Sequence, residues 1–113
     1  MIWYKHLYVD EDIVHKLKKI KWKICHNAGQ LDLYVISLPD VESNLLEIIS
    51  TVELMQKHYP KGELFVVGLA KGYEKAQKLA AGIVTDIFNK TGKFNVKEYL
   101  QAMQYADTGG FRL

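Results

Sequence analysis

A chain of 113 residues, 49% hydrophobic and 25% charged, has the balance of one globular domain, large enough to bury a core without disulfide staples. No apolar run approaches the roughly 20 residues of a membrane span, and the opening MIWYKHLYVDED lacks the pattern of a secretory signal. A net charge of +2 is too small to imply a nucleic-acid partner, and the lone Cys25 rules out an intramolecular disulfide and suits a reducing cytoplasm, where the protein is expected.

Trp3 to Val9 is aromatic-rich and partly alternating, which predicts a first strand. Asp10, Glu11 and Asp12 follow, acids suited to the start of a helix. Ile13, Val14, Leu17, Ile20 and Ile24 then share one helical face. Trp22 lies off that face, and the excess positive charge of the chain sits in the same helix, in His15–Lys23. His26 to Gly29 reads as a loop.

A strand–turn–helix unit is then expected twice, 31 residues apart: Leu33 to Asp40 (LYVISLPD) and Leu64 to Lys71 (LFVVGLAK). Unbroken apolar runs followed by amphipathic helices predict strands buried on both faces and parallel to each other. Pro39 stops the first run. Asp40 or Ser43 caps a helix expected to reach about Tyr59, with Val41, Leu45, Ile48, Ile49, Val52 and Met55 as its stripe. After the second run a helix starts near Gly72, carries Tyr73, Ala76, Leu79, Ala80, Ile83, Val84 and Ile87 inward, and ends at Gly92. Asn95 and Glu98 form a capping box, with Phe94 and Tyr99 placed as a hydrophobic staple. A last helix covers about 96–105, and 106–113 is expected to be a flexible tail. The expected fold is a single α/β domain over 1–105, β-α-β-α-β-α-α, with a small, mainly parallel sheet of three or four strands. So narrow a sheet has open edges, and a homodimer pairing through one of them is favoured.

In open parallel sheets ligands bind beyond the carboxyl ends of the strands. That rim makes Ser37, Asp40, Gly68, Lys71, Gly72 and Tyr73 the candidate ligand-binding residues. Glycines allow close backbone approach, a helix start offers free N–H groups to an anion, and Lys71 adds charge. Neither phosphate-loop fingerprint is complete, because Gly72 is followed by Tyr73-Glu74-Lys75. The plainer reading has Gly68 admitting close helix–strand packing and Gly72 starting the helix. A second candidate surface is Lys16, Lys18, Lys19, Lys21, Trp22 and Lys23, lysines for phosphates and a tryptophan for stacking. Such runs are more often the solvated face of an amphipathic helix.

His6, His15, His26 and His58 make no metal-ligand spacing with one another or with Cys25, so no metal or cofactor is expected. Cys25 reads as a buried structural thiol. No acid–base pair stands out, so no catalytic residue is assigned.

The segments YKHLYV (4–9), HNAGQ (26–30), YVISL (34–38), NLLEII (44–49), QKHYP (56–60), VVGLAKGYEKA (66–76) and TGKFNVKEYL (91–100) resemble a family of short, uncharacterised bacterial α/β proteins. The resemblance covers about 4–100 and implies a stand-alone domain, with no activity, substrate or cofactor attached. The leading functional expectation is a non-enzymatic binding or interaction module, holding an anionic small ligand or a protein partner at the rim of the sheet. The runner-up is a small enzyme acting on a phosphorylated substrate cradled by 68–73. Nucleic-acid binding through the basic helix stands third, and no membrane role is expected.

Overall fold

Along the first strand Tyr4 and Tyr8 alternate with Trp3, Leu7 and Val9, and the two sets pack into opposite layers. That alternation sets the plan of the molecule: a sheet covered on both faces. The computed structural model describes residues 1–39, 45–56 and 59–110, for 107–110 the backbone alone.

The elements are β1 (Ile2–Val9), a 3-10 turn at Val14–Lys16 running into α1 (Leu17–Cys25), β2 (Leu33–Ser37), β3 (Glu47–Ser50), α2 (Thr51–Leu54), a 3-10 turn at Lys61–Glu63, β4 (Phe65–Lys71), α3 (Tyr73–Thr91) and α4 (Val96–Gly110). The four strands lie in the order β1-β4-β2-β3. β1 and β4 are parallel, whereas β2 is antiparallel to both of its neighbours.

The sheet is therefore mixed rather than mainly parallel. The two apolar runs expected to be parallel lie side by side and antiparallel, with Leu33 opposite Lys71 and Ile36 opposite Gly68. The reason lies in the segment between them. Where a helix of the length needed to cross the sheet was expected, the chain turns back as β3, pairing Ser37 with Glu47 and Tyr34 with Ser50. Only a four-residue helix, α2, follows, and Ser50 caps it by accepting the Glu53 N–H at 3.1 Å. Val52 and Met55 of the expected helical stripe are exposed. Val41 and both expected caps, Asp40 and Ser43, lie outside the described residues.

One layer holds α3 and α4 over Tyr4, Ile36, Phe65 and Val67, with Ile83, Ile87, Val96 and Leu100 inward. The other holds α1 and α2 over Val35, Ile49, Val66 and Leu69, with Ile13, Ile20, Ile24 and Leu54 inward. Val14, expected inward, is exposed because a 3-10 turn precedes α1 and shifts the helical register. β4 carries one extra residue between the partners of Ile36 and Ser37. This bulge turns Val67 and Gly68 to the same layer and Leu69 to the other. A Cβ on Gly68 would stand 3.2 Å from the Tyr8 carbonyl, 3.3 Å from Ile36 Cδ1 and 3.4 Å from Leu79 Cδ2. Gly68 is thus a close-packing glycine, as the plainer reading held.

Gly92 ends α3 in the left-handed region at φ 74°, donating its N–H to the Phe88 carbonyl at 2.7 Å, which is the expected C-terminal glycine. The Asn95 side chain accepts from the Thr91 hydroxyl at 3.0 Å, and Phe94 stacks on Phe88. At the outer edge of β1, Gln104 of α4 accepts the Lys5 N–H at 2.8 Å and donates to the Trp3 carbonyl at 3.2 Å. A side chain thereby pairs part of the edge that a second strand would otherwise take. No helix among the described residues is long and apolar enough to cross a membrane.

Candidate functional site

β1 and β4 end together, and β2, running the other way, begins beside them. At this rim Asp10 donates its N–H to the Leu69 carbonyl at 3.0 Å. Its carboxylate accepts two backbone N–H groups, from Asp12 at 3.1 Å and Lys71 at 3.2 Å. Gly72 donates to the Asp32 carbonyl at 2.7 Å and has φ 92° and ψ 138°, a conformation that glycine adopts and side chains resist. The turn therefore exists because Gly72 permits it and Asp10 and Asp32 pin its two sides.

Tyr73 opens α3 beyond this turn. Expected inward, its side chain is instead 52% exposed, because α3 begins at the lip of the sheet and only its later residues lie over the strands. The Tyr73 ring meets Tyr34 of β2 edge-on, with centroids 5.5 Å apart and planes at 64°. Lys71 is exposed, and among the described residues no carboxylate lies within ion-pair distance of its ammonium. Lys75 pairs with Asp12 and lies 3.9 Å from Asp10. Among the described residues the rim thus carries Lys71 without a carboxylate partner, an aromatic corner, the engaged carboxylates of Asp10 and Asp12, and the Asp32 carboxylate, 3.8 Å from where a Cβ on Gly72 would stand.

Lys71, Gly72 and Tyr73 follow one another at this rim, and the structure places Ser37 and Gly68 away from them. Ser37 is fully buried at the opposite end of β2, beside Val66 and Glu47, because β2 is antiparallel. Gly68 is sealed beneath α3. Asp40 lies outside the described residues. Tyr34 and Asp32 join the site without having been expected there. Their signal was available only through strand direction, since both stand at the start of an apolar run rather than its end. A small recess lined by Leu38, Glu47, Tyr59, Pro60, Glu63 and Leu64 lies at the far end of the sheet.

The other concentration of ionisable groups lies where β1 meets α3, with Tyr8 and Asp86 half-buried and Lys90 exposed. Tyr8 donates to Asp86 Oδ2 at 3.0 Å, and Lys90 pairs with the same oxygen at 3.1 Å. Burial first, and then the hydrogen bond to Asp86, hold the Tyr8 phenol well above its ordinary value. Lys90, and then Tyr8, draw the Asp86 carboxyl below the usual carboxylate range. A phenol so firmly protonated donates and does not act as a base near neutral pH, so the triad ties β1 to α3.

Cys25, expected buried, is exposed at the end of α1. His26 is turned to Trp22: its Nδ1 lies 2.7 Å from the Trp22 carbonyl, which only accepts, so Nδ1 is the donor. His58 lies outside the described residues, and among those described no group of three or more His, Cys, Asp or Glu is placed to hold a metal ion. The chain matches no protein-family model, no curated protein and no solved structure.

Proposed function

We propose that the protein is a non-enzymatic binding module whose ligand surface is the lip formed by Lys71, Gly72, Tyr73 and Tyr34, and that it takes a small planar anion. The observation that carries this reading is the half-exposed Tyr73 ring braced edge-on by Tyr34, close in sequence to an ammonium with no carboxylate partner among the described residues. The Tyr73–Tyr34 corner offers a flat molecule a surface to cover, and Lys71, two residues before Tyr73 at the end of β4, offers a negative group a charge to meet. The neighbouring acids support binding rather than turnover. Asp10 spends both carboxylate oxygens on backbone N–H groups of its own turn, and Asp12 is held by Lys75.

The test is a thermal-shift screen against nucleotides, sugar phosphates and aromatic carboxylates. A ligand that binds only the folded chain raises its melting temperature by mass action. The expected result is a dose-dependent rise that Lys71→Ala and Tyr73→Ala each abolish while leaving the unliganded melting temperature within a few degrees. A rise that survives both substitutions, or no rise across the set, rejects the lip as the ligand surface.

A further inference from the structure

Residues 13–31 contain five lysines, two histidines and no acid, the longest basic stretch of the chain that no acid interrupts. The fold turns that stretch outward. Ile20 and Ile24 anchor α1 to the sheet, while Lys16, Lys18, Lys19 and Trp22 are exposed and Lys21 and Lys23 half-buried. Among the described residues, none of the five lysines has a carboxylate within ion-pair distance. Lys61 reaches the end of the same helix, donating to the Ile24 carbonyl at 3.4 Å and to the Asn27 side chain, and adds its charge there.

Trp22 makes this more than a solvated face. Its side chain is 59% exposed, an unusual place for the largest apolar residue. It is also held still: the indole stacks on the His26 ring with centroids 4.1 Å apart and planes at 17°, and the His26 hydrogen bond to the Trp22 carbonyl fixes that ring in turn. A flat, preset aromatic surface with Lys18 and Lys19 one helical turn away, neither paired with a carboxylate among the described residues, has the two parts that single-strand binders combine, a cationic track for phosphates and a platform for a base, whereas the Lys21 ammonium lies over the Trp3 ring at 5.0 Å. A duplex would leave the platform unused, because its bases are already stacked. A lipid surface would call for an apolar strip, and within α1 Trp22 is the one exposed large apolar side chain. The geometry points to α1 as a binding surface for single-stranded nucleic acid, with Trp22 stacking a base and Lys16, Lys18 and Lys19 meeting phosphates. This surface is separate from the lip, and neither reading rests on the other.

The experiment is a titration of the full chain with a short labelled thymidine oligonucleotide at low salt, followed by tryptophan emission and, for every variant, by the anisotropy of the label. Heparin serves as a polyanion without bases, and phosphatidylserine vesicles as an anionic surface. The expected result is quenching by the oligonucleotide and an affinity that falls with salt. Three to five lysine contacts predict a log–log slope of about −2 to −3.5 for a single strand. Trp22→Ala is expected to weaken the oligonucleotide about tenfold and to leave heparin unchanged. Lys18→Ala with Lys19→Ala is expected to flatten the slope by about 1.4, whereas Lys97→Ala, on the opposite layer, leaves it as it was. All these positions are exposed, and circular dichroism verifies that each variant folds. Absence of quenching at low salt overturns the proposal. So does an oligonucleotide affinity indifferent to Trp22→Ala, which reduces the surface to a generic polyanion site, and so does tighter capture by vesicles than by the oligonucleotide.

Discussion

Tyr8 shows how one residue carries both packing and charge. Its ring lies parallel to Tyr4 at 6.3 Å, and its hydroxyl donates to Asp86 at 3.0 Å. The phenol is raised above its unfolded value near 10 by burial and by that hydrogen bond. A group whose folded value is raised contributes stability that is fully present below the unfolded value and is lost as the pH climbs toward the folded one. The protein is therefore expected to lose stability steadily above about pH 10. Tyr8→Phe keeps the ring and removes the proton. It is expected to cost about 1 kcal/mol at neutral pH and to flatten the alkaline decline. Part of that decline remains, because burial raises Tyr4 as well. Urea midpoints of both proteins between neutral pH and about pH 11 measure this. Parallel curves above pH 10 would show that Tyr8 is not the titrating group.

At the scale of the element, three of the four strands and the long helices were legible, whereas β3 and the strand directions were not. β1, β2, β4, α1 and α3 stand within a few residues of where composition and periodicity put them. The segment around Ile48 and Ile49 failed for a physical reason. In a sheet covered on both faces neighbouring apolar residues both pack inward, Ile49 buried toward α1 and Ile48 half-buried toward α3, so the strand shows no alternation to set against a helical stripe. A helix capped by Asp40 or Ser43 and reaching about Tyr59 would supply a parallel crossover, which the chain does not make. That one error moved Ser37 to the rim in expectation and kept Tyr34 away from it. Lys71, Gly72 and Tyr73 were legible because a turn glycine between a strand and a helix marks its own position. The Gln104 clasp on the edge of β1 had no sequence signal, since a glutamine on a helix faces solvent as readily as a strand edge. It makes two hydrogen bonds to backbone that no strand pairs. Gln104→Ala is expected to lower stability by about 1 kcal/mol in urea unfolding, and Gln101→Ala, an exposed neighbour on the same helix, by much less. Equal effects would mean that water replaces the clasp without cost. With that edge partly paired, a second copy joining the sheet would meet it at β3, which among the described residues pairs with β2 alone.

For the whole molecule the mixed sheet decides how the two proposed surfaces relate to stability. The Tyr34–Tyr73 corner of the lip belongs to the layer of α3 and the basic face to the layer of α1, but both layers are built on the same central strands. Val35 and Ile36 are adjacent, fully buried and point into opposite layers. Neither layer keeps its floor if β2 or β4 is lost, so the two are expected to unfold as one cooperative unit. Trp3 packs in the α1 layer and reports on it by fluorescence, whereas α3 and α4 dominate the helical signal of the other layer. Val35→Ala and Ile36→Ala each remove buried methyl groups, and Ile36→Ala is expected to cost about 2–5 kcal/mol. Each should lower the fluorescence and circular-dichroism midpoints together, although each cavity opens in one layer alone. The same coupling means that a ligand held at the lip and an oligonucleotide held on α1 each raise a single shared melting temperature. If Ile36→Ala separates the two transitions, the layers are independent folding units. A ligand at the lip would then protect the helical signal while leaving Trp3 to melt at its own temperature.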